Sequence, residues 1–103
     1  VLVNLFGNAI DAMQHEARRC LRVRAAAEDG GQRVRVQVQD TGAGIAEANL
    51  PRLFEPFFTT KPPGEGLGLG LVISAKIVHE FGGTLRAERL EPGMSFEFDL
   101  AVD

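Results

Sequence analysis

A single cysteine, Cys20, stands among 103 residues, so an internal disulfide is excluded and the chain fits a reducing compartment. No apolar run is long enough to span a bilayer, and no signal-peptide pattern opens the sequence. An excess of basic residues is missing too. The formal net charge of -3 argues against a nucleic-acid binder that works through a basic surface. Any phosphate-bearing ligand must then be met by local donors or by a cation. Internal repeats and low-complexity tracts are absent. The chain opens at Val1, without methionine, inside an apolar-periodic segment that no capping residue precedes, and is expected to be a fragment of a larger protein. What is there is ordinary globular material, 45% hydrophobic and 24% charged, enough for one small domain over residues 1–103.

Val1 to about Ala17 reads as an amphipathic helix, with Leu2, Leu5, Phe6, Ala9 and Met13 facing a core. Asn4, Asn8 and Asp11 fall at the same spacing on another stripe, so their side chains stack along one line. Asparagine is an indifferent helix former, and solvated faces usually carry Lys, Glu and Arg. The stripe is read as functional, because amide and carboxylate oxygens are the ligands a hard cation such as magnesium prefers.

Leu21 to Ala27 and Arg33 to Gln39 alternate apolar with polar around the turn composition Glu28 to Gln32, which predicts a β-hairpin. Asp40-Thr41-Gly42-Ala43-Gly44-Ile45 follows, an acid at a strand end with Gly-x-Gly: either a tight turn or a binding loop. A carboxylate there can accept a hydrogen bond from the exocyclic amine of adenine, whereas guanine would oppose it with a carbonyl. Ala46 to Gly66 holds no long element beyond a short helix over Glu47 to Leu53. Phe54, Phe57 and Phe58 are core or part of a lid. Lys61 is either a phosphate contact or a solvated lysine, before the Pro62-Pro63-Gly64 hinge. Gly64 to Leu71 alternates glycine ahead of a helix to Phe81, which is either a flexible connector or an anion site. Gly82-Gly83 stops that helix, and His79 in its last turn reads as a surface residue. Thr84 to Arg89 and Met94 to Leu100 predict a second hairpin across Glu91-Pro92-Gly93.

Four blocks together resemble the ATP-binding catalytic domain of bacterial sensor histidine kinases. Asn4 to Ala12 is similar to that family's N box, and Asp40 to Ile45 to its first glycine box. Leu53 to Lys61 is similar to its F box, and Gly66 to Leu71 to its second glycine box. The match covers nearly the whole chain in the right order, and the F box with Thr59-Thr60-Lys61 looks closest to kinases of the nitrogen-regulation and dicarboxylate-sensing type. The resemblance implies that Asn8 ligates magnesium, that Asn4 lies near the phosphates and that Asp40 binds the adenine amine. Gly42, Gly44 and Ile45 would shape the adenine pocket. Gly66, Leu67, Gly68 and Leu69 would cradle phosphates through their backbone. Many members carry a basic residue where Asp11 stands and a tyrosine where Ala12 stands, so those contacts are not carried over.

The fold implied is α+β, a two-layer sandwich with a mixed, mostly antiparallel sheet and helices on one face. The family's preceding strand and helix are not matched, which would leave an exposed sheet edge. The function implied is transfer of the terminal phosphate of magnesium-ATP to a histidine on a separate dimerisation domain upstream, with a response regulator downstream. Such a domain would be the cytoplasmic part of a membrane-anchored sensor, without nucleic acid or membrane contact of its own. Two alternatives stand beside it: a hydrolysing conformational ATPase of the gyrase or mismatch-repair type, and a non-catalytic nucleotide-sensing module. Those hydrolases carry a glutamate where this chain has Asn4, an amide that cannot act as a general base. His15-Glu16 is a faint likeness to an acceptor pair, at the end of a helix where a surface reading prevails.

Overall fold

Period-two alternation builds four strands: β1 (Leu21–Glu28), β2 (Arg33–Asp40), β3 (Leu85–Arg89) and β4 (Met94–Ala101). A computed structural model describes residues 1–56 and 70–101 of the chain. The strands form one sheet in the order β1-β2-β4-β3. All three pairings are antiparallel, so the described residues contain no parallel pair of the mixed sheet expected. Val38 lies opposite Phe96, and Phe96 opposite Ala87, which sets the apolar residues of neighbouring strands on one face.

Two helices cover that face, α1 (Leu2–Ala12) and α2 (Gly70–Glu80). Leu5 of α1 and Val78 of α2 meet Val38, Phe96, Phe98 and Leu85 in one core. Burial of each large side chain there contributes roughly 2–3 kcal/mol. Leu5, Ala9 and Met13 are buried as the spacing predicts, but Leu2, in the first turn of the same stripe, is 39% exposed. Helix α1 also ends five residues before Ala17. The Arg19 guanidinium reaches back to the carbonyls of Gln14 and Glu16, each at 2.9 Å, and the Thr41 hydroxyl donates to the Arg18 carbonyl. Thr41 Oγ1 also accepts the Cys20 N–H at 3.0 Å. Beyond Met13 the backbone turns through i→i−3 bonds, Gln14 N–H to the Asp11 carbonyl and Glu16 N–H to the Met13 carbonyl, and the side-chain bonds lead the chain on into β1.

Helix α2 stops where its glycines predict. Gly82 adopts φ 82°, and the N–H groups of Gly82 and Gly83 bond to the carbonyls of His79 and Val78. This crossed pair of bonds satisfies the last carbonyls of the helix, and only glycine takes that φ without strain. The segment expected as a lid is anchored at its start. Glu47–Arg52 forms a 3-10 turn, Leu53 is buried, and Leu50 and Phe54 pack against the core. The rest of that segment, with Phe57, Phe58 and Lys61, lies outside the described residues. Strand β1 is a sheet edge, exposed along all its length but Glu28.

Candidate functional site

Asp40 is the last residue of β2 and shares the core-facing side with Val38, two residues earlier. It is 5% exposed. Its carboxylate accepts the Gly42 N–H at 2.8 Å and the Met94 N–H from β4. Burial pushes its pKa above the usual carboxylate range, and these two backbone hydrogen bonds oppose the shift only in part. An ionised carboxylate has about four acceptor positions, so two backbone donors leave it room for an amine.

The loop after Asp40 folds against the end of α1, where the Ala43 N–H bonds to the Ala12 carbonyl at 3.2 Å. Gly42 is buried against that same carbonyl, Gly44 sits beside the Gly93 carbonyl, and Ile45 packs on the core. One residue beside Asp40 escaped the sequence reading. Gly93, taken there only as a turn residue, lies so close to the Asp40 carbonyl that no side chain fits, and its φ is 100°. The turn composition Glu91-Pro92-Gly93 was the only signal, and it carries no sign of what the turn packs against.

Asn4, Asn8 and Asp11 stack along α1 as their spacing predicts, and all three line a groove of about 460 Å³ between α1 and α2. Gly70, Ile73 and Ser74 supply its other wall. The Asn4 amide nitrogen donates to the Ser74 hydroxyl at 3.1 Å, joining the two helices. Ser74 is a second residue missed by the sequence reading, being a small polar residue inside an apolar helix. Asp40, Gly42 and Gly44 are not among the walls of this groove. The structure therefore places the predicted residues in two groups, joined through α1. Lys61, Gly66, Leu67, Gly68 and Leu69 lie outside the described residues.

The donor set fits magnesium and adenine. Asn8 and Asp11 place amide and carboxylate oxygens in the groove, as a hard cation requires. Among the described residues no group of three or more His, Cys, Asp or Glu could hold a metal alone. A cation here would complete its shell with phosphate and water oxygens, the usual way magnesium meets a nucleotide site.

With two helices over an antiparallel sheet, an acid closing β2 and an asparagine stripe facing α2, the geometry is that of a nucleotide-binding sandwich. The chain belongs to the histidine kinase-, DNA gyrase B- and HSP90-like ATPase family, whose model matches residues 1–103. It is 45% identical over 103 residues to the sensor protein FixL of Bradyrhizobium diazoefficiens, covering 97% of this chain and 19% of that protein. It is 40% identical over 100 residues to the C4-dicarboxylate transport sensor protein DctB of Rhizobium meliloti, covering 97% of this chain and 16% of that protein. The chain thus spans about a fifth of the length of these curated relatives. Among solved structures, the nucleotide-free catalytic domain of histidine kinase ThkA superposes with a TM-score of 0.79 at 38% identity, over 97% of this chain and 63% of that one. Full-length ShkA in complex with AMPPNP superposes with a TM-score of 0.80 at 35% identity, over 99% of this chain and 21% of that one. These likenesses bear out the family and fold that the four boxes implied. No helix among the described residues is long and apolar enough to cross a membrane.

Proposed function

We propose that residues 1–103 form one ATP-binding domain, and that the protein carrying it phosphorylates a histidine on its own dimerisation domain. The observation that supports this best is Asp40, a buried carboxylate that among the described residues is held by backbone N–H groups and so can still accept the adenine amine. Asn8 is the magnesium ligand, and Asn4 stands beside it in the groove. Gly66, Leu67, Gly68 and Leu69 cradle the phosphates through bare N–H groups, and Lys61 offsets charge on the terminal phosphate. Bound magnesium supplies the positive charge that this acidic chain lacks.

Phosphotransfer is favoured over hydrolysis because Asn4 cannot take a proton from water, and its amide nitrogen is already engaged by Ser74. The fuller reading is the catalytic domain of a cytoplasmic kinase module in a membrane-anchored two-component sensor, with a response regulator as the next acceptor. ATP and GTP titrations with and without magnesium, followed by incubation with an added acceptor domain, test it. ATP should bind far more tightly than GTP, gain affinity with magnesium and label the acceptor histidine. Equal binding of GTP overturns the role of Asp40. Phosphate release that needs no acceptor overturns the kinase assignment in favour of a hydrolase.

A further inference from the structure

We propose that Ser74 is a positioning residue that turns the Asn4 amide so that its oxygen, not its nitrogen, meets the ligand; this rests on the nucleotide reading above. Ser74 is 3% exposed, and its hydroxyl takes the Asn4 Nδ2–H at 3.1 Å. Gly70 lies four residues before Ser74, on the same side of α2. Its bare backbone lies against the same amide, since a Cβ there would fall 2.5 Å from Asn4 Oδ1 and 2.7 Å from Nδ2. Asn4 is therefore held at two points, against Gly70 by contact and by Ser74 through a hydrogen bond.

The polarity of that bond is the one the structure pairs: the Asn4 nitrogen donates and the Ser74 hydroxyl oxygen accepts. A serine inside a helix can keep that polarity by giving its own proton to the carbonyl one turn back, which leaves oxygen lone pairs for a partner. An amide facing such a hydroxyl presents its nitrogen, and the carbonyl oxygen, beside Gly70 at the groove wall, is then what remains for a ligand. An acceptor oxygen near Asn8 suits a hydrated magnesium ion, because it can accept from a metal-bound water. It does not suit direct contact with phosphate, which is itself only an acceptor at neutral pH. Asn4 therefore serves the cation, and Ser74 commits it to that role. Neither the asparagine stripe nor the glycine box contains this information, because the two residues are 70 positions apart.

The test measures ATP affinity of the intact protein with and without magnesium, for Ser74→Ala, Ser74→Thr, Asn4→Ala and the Asn4→Ala/Ser74→Ala pair. Ser74→Ala should reduce the gain in affinity from magnesium about fivefold, the worth of one ordinary hydrogen bond, and leave magnesium-free binding unchanged. Ser74→Thr, which returns a hydroxyl, should restore the gain. In the Asn4→Ala background, Ser74→Ala should change nothing further, and this cycle decides the matter if the threonine is too bulky to fold. An unchanged magnesium gain in Ser74→Ala overturns the proposal. An equal loss with and without magnesium that persists in the Asn4→Ala background also overturns it, leaving Ser74 a packing residue. If the unmutated protein binds ATP with a magnesium gain and Ser74→Ala behaves the same, only this inference falls. If the unmutated protein binds no ATP, the nucleotide reading falls with it.

Discussion

Asp40 and Asp99 lie towards opposite ends of the sheet and are built alike, yet their charges are treated in opposite ways. Each carboxylate accepts backbone N–H groups, from Gly42 and Met94 in one case and from Thr84 in the other. Each has a glycine pressed against its own carbonyl, Gly93 behind Asp40 and Gly83 behind Asp99. Asp99 also receives Arg33, whose Nε lies 3.0 Å away and whose other arm bonds to the Gly82 carbonyl, and Arg86 at 3.7 Å. The Thr84 N–H first, and then these cations, hold its carboxyl below the usual range. Asp40 has burial and, among the described residues, no guanidinium beside it, and its pKa goes up. A carboxylate that serves the fold is neutralised by its own chain. One that the described residues leave without a counter-charge carries a standing cost, which makes sense where a ligand is to be met.

The largest effect should come from removing what the two sites share. Gly83→Ala and Gly93→Ala each force a Cβ into a backbone carbonyl, and each should lower the unfolding free energy by about 4 kcal/mol or more. Urea denaturation measures this, and a loss under about 1 kcal/mol would show that the neighbouring strand gives way at little cost. The glycines would then not be what brings either acid into place.

Asp40→Asn separates binding from stability. ATP affinity should fall by about 2 kcal/mol, roughly 30-fold, because an amide presents a donor to the adenine amine. The preference for ATP over GTP should shrink with it. Stability should move the other way with pH. With a folded pKa raised above its ordinary value of 3.8, Asp40 contributes fully below that value and loses the contribution as pH rises through the raised one. The loss of stability on raising the pH from acid towards neutral should therefore be smaller in Asp40→Asn than in the unmutated protein. Titration calorimetry and chemical denaturation across that range check both halves. Unaltered nucleotide affinity would remove Asp40 from the site.

The smallest of these effects, and the one with the opposite sign, belongs to Asp99→Asn. It should cost about 1–2 kcal/mol at neutral pH, since charge-assisted hydrogen bonds become neutral ones, without changing nucleotide affinity. A lowered pKa places its contribution above 3.8, to be lost as pH falls through the folded value. The gap between Asp99→Asn and the unmutated protein should therefore close in acid. A gap that stays constant with pH would mean that packing, not charge, holds the strand end to the turn after α2.

Half of the comparison was legible in advance. Asp40 stood out because an acid between an alternating strand and Gly-x-Gly is a local pattern. Asp99 did not, because it is one polar member of the alternating run in β4 and its arginine partner lies 66 positions away. The same division runs through the elements. Strand limits in the first hairpin were legible to within a residue, and α2 stops at the glycines that predicted its end. The end of α1 was not legible, because the Ala43 N–H and the Thr41 hydroxyl reach the Ala12 and Arg18 carbonyls only once the loop after β2 is in place.

By itself, then, the sequence determined what depends on near neighbours: alternation for strands, helical spacing for the Asn4–Asn8–Asp11 line, glycine for turns, and the order of the four boxes. Each follows from backbone geometry or side-chain period, which act over a few residues. Tertiary structure alone decided which glycine backs Asp40, which serine bonds to Asn4, and which of two similar aspartates is paired with arginine. Those outcomes depend on pairings across β2 and β4 and between α1 and α2. Contacts of that kind exist only after the core of Leu5, Val38, Val78 and Phe96 has brought distant parts of the chain together.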